Sequence, residues 1–148
     1  MTMSDRHYRS LARLGYTLYA HGQPGRARRI FRGLTSVSPK RGYAWRLLAA
    51  CRHRLADASG SASAYERALE VDPSDSAARI GFAILLAEHD RLDDAAALLE
   101  PLSRRAGGDS AYARRARALL RRWRLERTST TESAGRTGQD GPDRTNPA

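Results

Sequence analysis

Four histidines, one cysteine and a pair of adjacent aspartates are the side chains here that could carry a reaction, and their spacing assigns them none. His7, His21, His53 and His89 form no i, i+4 pair and stand in no His-Glu-x-x-His context, so no metal site is expected. His53 and His89 fall about one helical hairpin apart, and solvated or hydrogen-bonded rings account for them. Cys51 lies among Ala49, Ala50 and Arg52. Nearby arginines can lower a thiol pKa, but a small packing residue on a helix is the plainer reading. Asp93 and Asp94 open a predicted helix, where negative charge suits the dipole. No phosphate-cradling glycine loop is present. The expectation is no catalytic residue, no metal and no cofactor.

The remaining chemistry is charge. The formal net charge is +10, from 26 Lys+Arg and 16 Asp+Glu, and Lys40 is the one lysine. An excess of arginine over lysine this large reads first as base composition, since Arg is also a good helix former. The charge falls in blocks: residues 1–56 are basic, 57–109 acidic, 110–127 basic and 128–148 nearly neutral. Alternating blocks suggest a protein or peptide partner, or self-association, more than a uniform polyanion. Nucleic acid is the competing partner. The run RRARALLRRWRLER, residues 114–127, could follow a phosphate backbone with Trp123 stacked on a base. The acidic block opposes that.

These residues sit on elements set by one recurring stretch, AYERALEVDPSD at 64–75. Tyr65, Ala68, Leu69 and Val71 have helical spacing, and Asp72-Pro73 stops the helix. The same grammar stands 34 residues earlier in Phe31, Leu34, Val37 and Ser38-Pro39. It returns 34 residues later, weakened, in Leu99, Leu102 and Gly107-Gly108. A period of 34 with two helices per unit is the signature of a stacked helical repeat.

In chain order, residues 1–7 read as a flexible lead-in, and the repeats span 8–41, 42–75 and 76–109. Repeat one places Leu11, Leu14, Gly15 and Leu18 on its first helix as core, ends it at Gly22, and restarts at Pro24 with Ala27, Ile30, Phe31 and Leu34. Repeat two is marked by Trp45, Leu48, Ala49 and Leu55. Its second helix is expected from about Ser61, because Gly60 and the serines around it are poor interior formers. Repeat three carries Phe82, Ala83, Leu85 and Leu86, then Leu92, Ala95, Leu98, Leu99 and Leu102. Asp90 takes the turn position where repeat one has glycine, a left-handed site that Asp tolerates. Residues 110–127 form a capping helix with Tyr112, Ala116, Leu119, Leu120 and Trp123 on one stripe. Residues 128–148 hold no Leu, Ile, Val, Met or aromatic residue and are expected to be disordered.

One cysteine allows no intramolecular disulfide, which fits a reducing compartment. There is no secretory leader and no run of 18 apolar residues, so a cytoplasmic protein with no membrane partner is expected.

The pattern resembles the tetratricopeptide-repeat family: an all-α solenoid of three helix-turn-helix repeats with a C-terminal capping helix. The resemblance implies a superhelix whose first helices line a trough that binds a peptide. In it the second, fifth, ninth and twelfth helix positions face the trough: Arg9, Ala12, Tyr16 and Tyr19; Tyr43, Arg46, Ala50 and His53; Ala77, Ile80, Ile84 and Ala87. Tyr16 and Tyr19 fall outside the core set of Leu11, Leu14, Leu18 and Phe31, which leaves them for a ligand. A narrower resemblance runs from Leu11 to Leu102. LYAHG after Tyr16, then Ala27, Phe31, Leu34, AACR at 49–52, Tyr65, Ala68 and DDAAALLE at 93–100 are similar to the tetratricopeptide chaperones of bacterial type III secretion. That class holds hydrophobic translocator proteins by an extended Pro-x-Leu-x-x-Pro-type segment and often forms homodimers. By this likeness Tyr16 and Tyr19 would grip the client. A generic repeat scaffold in another bacterial complex is the alternative.

Overall fold

The computed structural model describes residues 3–105 and 110–136. Seven α-helices make up the described residues: α1 (Asp5–Ala20), α2 (Pro24–Val37), α3 (Gly42–Arg54), α4 (Ala58–Val71), α5 (Ser76–Glu88), α6 (Leu92–Ser103) and α7 (Ala111–Arg136). Each helix packs on the next, and α1 also touches α3, α3 touches α5 and α5 touches α7. The odd-numbered helices therefore form one wall, with α2, α4 and α6 behind it.

The repeat is legible in single hydrogen bonds. Within each hairpin a backbone N–H reaches back five residues: Gln23 to Leu18, Asp57 to Arg52 and Arg91 to Leu86, at 2.9, 2.9 and 3.0 Å. The residue before each donor is left-handed, with φ of 74° at Gly22, 59° at Ala56 and 60° at Asp90. The sequence marks Gly22 and Asp90 for this role. Ala56 fills it with no polar side chain and no glycine, held by the same closing bond.

The second helices bury matched positions: Ala27, Ser61 and Ala95; Phe31, Tyr65 and Leu99; Leu34, Ala68 and Leu102. Ser61 is tolerated at the centre because its hydroxyl donates to the Ala49 carbonyl at 2.8 Å.

Five expectations need correction. The second helix of repeat two starts at Ala58, not Ser61. Asp57 caps it by accepting the Gly60 N–H at 3.0 Å, and Arg52 donates to the Gly60 carbonyl at 2.9 Å. Gly60 belongs there because a Cβ would stand 2.2 Å from the Asp57 carboxylate.

Leu11 and Leu14 are not core. They are 38% and 50% exposed, while Tyr8, Ala12 and Gly15 take the inward face of α1. Gly15 fixes that choice: a Cβ there would lie 2.8 Å from the Phe31 ring. Leu11 and Leu14 thus leave apolar surface of α1 open.

On α7 the buried stripe is Ala113, Ala116, Leu120 and Trp123, and Tyr112 is exposed. That helix also runs nine residues beyond its expected end, to Arg136. The hydroxyls of Thr128, Ser129, Thr130 and Thr131 each donate back to a carbonyl three or four residues earlier, at 2.9 Å, so this polar stretch satisfies itself as helix. Residues 137–148 of the expected tail lie outside the described residues. At the other end, the expected lead-in overlaps α1, whose N-cap is Ser4.

Candidate functional site

The wall of odd-numbered helices carries the trough positions, and they divide by depth. Ala12 and Ile80 are buried and belong to the core, so they offer no surface to a ligand. Arg9 and Tyr16 are exposed. Tyr19, Arg46, Ala50, His53, Ala77, Ile84 and Ala87 are half-buried, and Tyr43 is just exposed.

Cations cover two of the three tyrosines. The Arg54 guanidinium lies 4.1 Å from the Tyr19 ring centre and donates to the Tyr19 carbonyl at 2.9 Å. Arg46 lies 5.2 Å from the ring centre of Tyr43. Such contacts fix the face an aromatic ring presents. Tyr43 also meets Phe31 edge-on at 6.3 Å, and burial raises its hydroxyl pKa. Tyr16 remains 53% exposed, the freest aromatic surface on this wall. Tyr19, in contrast, packs against the core cluster and is only partly available.

Two polar side-chain contacts cross the wall between helices. Arg46 of α3 meets Asp75 at 2.7 Å, and Asp75 caps α5 by accepting the Ala78 N–H at 3.0 Å. His53 Nε2 of α3 stands 2.5 Å from Glu88 Oε2 of α5. Asp75 and Glu88 were not among the residues expected at the site. Their sequence signal is faint: each stands roughly one repeat after its partner. Arg9, by contrast, folds back onto its own helix, its Nε donating to the Asp5 carbonyl at 3.3 Å.

The wall ends in a cavity between α5 and α7 of about 320 Å³. Ile84 and Ala87 form one side, and Leu119 and Trp123 the other.

Cys51 is fully buried, and desolvation pushes its thiol up to about 11, well above the range of a reactive thiolate. Among the described residues no three of His, Cys, Asp and Glu converge on a metal position. No helix among them is long and apolar enough to cross a membrane.

The arginine helix also departs from a nucleic-acid surface. Arg127 pairs with Asp93 at 2.8 Å, Arg124 with Glu100 at 3.8 Å and Arg122 with Glu126 at 2.8 Å. Trp123 is 5% exposed, buried against α5 and α6, and has no free face for a base.

Two family models, both described as tetratricopeptide repeat, match residues 12–76 and 52–120. No curated protein matches the chain by sequence. Solved structures do match by fold. The type III secretion translocator chaperone SycD of Yersinia enterocolitica, in an alternative dimer, superposes with a TM-score of 0.77 at 18% identity, over 84% of this chain and 96% of that one. The same chaperone in complex with a peptide of the translocator YopD gives 0.75 at 17% identity, over 84% and 97%. PcrH in complex with the chaperone binding region of PopD gives 0.76 at 21% identity, over 84% and 96%. At these identities the shared property is the fold.

Proposed function

We propose that this chain, a tetratricopeptide-repeat protein, is a non-catalytic chaperone that holds an extended segment of a client protein against the wall of α1, α3 and α5. Within that reading the client is a translocator of a type III secretion system, kept in the cytosol before export. One observation carries it: most of the chain superposes on chaperone structures that hold translocator segments. The open wall agrees, since Tyr16, Tyr43, Ala50, Ile84 and Ala87 together leave aromatic and apolar surface accessible. Large, partly polar anchors of this kind dominate the energetics of peptide binding. Self-association as a homodimer belongs to the same reading, and exposed Leu11 and Leu14 provide an apolar surface for it.

Co-expression with the candidate translocators, followed by co-purification, tests the proposal. Tyr16→Ala/Tyr43→Ala is the informative variant, because Tyr19 also supports the core. Capture of a translocator by the parent chain, and its loss in a double variant that still folds, is expected. Capture that ignores the double substitution overturns the placement of the groove. Binding of none of the translocators overturns the chaperone reading.

A further inference from the structure

We infer that the α5–α7 cavity is a socket for a large apolar side chain followed directly by a carboxylate. The inference rests on the peptide-holding reading and adds to it the chemistry of one contact. The cavity lies at the opposite end of the wall from Tyr16. Its volume, about 320 Å³, stands at the lower end of ligand pockets, which run from about 300 to 1,000 Å³. It therefore suits one or two side chains rather than a whole small molecule. Ile84, Ala87 and Leu119 are each half-buried, so apolar surface remains there for an occupant to cover.

The charge at the rim selects the neighbour of that side chain. Four ionisable groups line the cavity: Glu88, Arg115, Arg122 and Glu126. Glu88 is engaged by His53 at 2.5 Å, and Arg122 and Glu126 engage each other at 2.8 Å. Arg115 is exposed and makes no ion pair among the described residues. One cation is thus left over beside an apolar hole. An occupant with a leucine-sized side chain and an adjacent aspartate, glutamate or chain-terminal carboxylate matches both.

The probes are two synthetic peptides, N-acetyl-Gly-Leu-Glu-Gly-amide and its Leu-Gln isostere, titrated into the full chain labelled with nitrogen-15. The chain has two tryptophans, so the Trp123 indole N–H resonance is assigned with a Trp45→Phe variant. Both peptides should shift Trp123, with the Leu-Glu form binding about threefold tighter, the scale of a solvent-exposed ion pair. Raising the salt should shrink that preference. Arg115→Gln should bring the two peptides level while Trp123 still responds, and Tyr16→Ala should change nothing. Equal affinity of the two peptides in the parent chain, or no movement of Trp123 with either, overturns the socket. Translocator capture is read separately. Its failure beside a discriminating socket removes the chaperone reading alone, and its success beside a silent Trp123 removes the socket alone.

Discussion

The Tyr65 hydroxyl lies 2.5 Å from the point where a Cβ on Gly81 would stand. Tyr65 reaches from α4 across the repeat boundary, stacking on Phe82 with ring centres 5.9 Å apart. Phe31 and Leu99, its counterparts in the other repeats, lack that hydroxyl, so the fit of tyrosine in repeat two depends on glycine in repeat three. Gly81→Ala should therefore destabilise the fold by about 2 kcal/mol, the usual cost of overpacking a filled core. Tyr65→Phe in the same chain should recover part of the loss, because it removes the nearest atom while the ring carbons still stand 2.8 and 2.9 Å from that point. Urea unfolding of the four chains measures the coupling. Additive effects would show that the two residues do not share the space.

Ala56 makes the opposite prediction. It holds φ of 59°, a left-handed conformation that strains any residue with a Cβ. Gly22 occupies the equivalent turn one repeat earlier without that strain. Ala56→Gly should stabilise the chain by up to about 1 kcal/mol, less whatever the added freedom of the unfolded glycine offsets. An upward shift in the urea midpoint at unchanged slope is the expected result.

Ala56 also shows where the sequence stops being informative. The repeat period, the two-helix unit and the buried positions of the second helices follow from hydrophobic spacing and from proline or glycine stops. A residue that takes the left-handed turn without glycine, asparagine or aspartate leaves no such mark. The inward face of α1 was equally hard to read. Leu11 and Leu14 are more apolar than Ala12 or Gly15, yet the small residues go inside because Phe31 needs the space. Of the expected trough, Tyr16, Tyr43, Ala50 and Ile84 are positions that the repeat resemblance implies, and the structure adds that each keeps exposed or half-buried surface. The polar contacts that organise it were not legible. Arg46 with Asp75 and His53 with Glu88 are contacts between helices, and their register depends on how the hairpins stack.

Cys51 gives a test of how tightly the hairpins close. The thiol has no solvent exposure, and burial raises its pKa to about 11. A thiolate stabilised only by unfolding makes native alkylation slow at neutral pH. Iodoacetamide should leave Cys51 unmodified in the folded chain at pH 7.5 and label it readily in denaturant. Mass spectrometry of the intact chain reads both states. Fast native labelling at neutral pH would show that α3 opens often, or that its packing differs from the one described.

Asp75 joins the architecture to the trough, and its removal should be felt in both. Its carboxylate accepts from the Ala78 N–H at 3.0 Å, which caps α5, and it holds Arg46 at 2.7 Å on the wall. Asp57 caps α4 in the same way but meets Arg52 only at 3.9 Å. Losing a capping side chain costs about 1 kcal/mol. Asp75→Ala also leaves a half-buried guanidinium without its anion, so it should cost more than Asp57→Ala, by a further 1 kcal/mol or so. Asp75→Asn keeps a capping oxygen and loses the charge, and its stability should fall between the parent chain and Asp75→Ala. The same series should alter peptide binding at the wall, because Arg46 no longer has a fixed position over Tyr43. Equal losses for Asp75→Ala and Asp57→Ala in urea would mean that the Arg46 pair adds nothing to the cap.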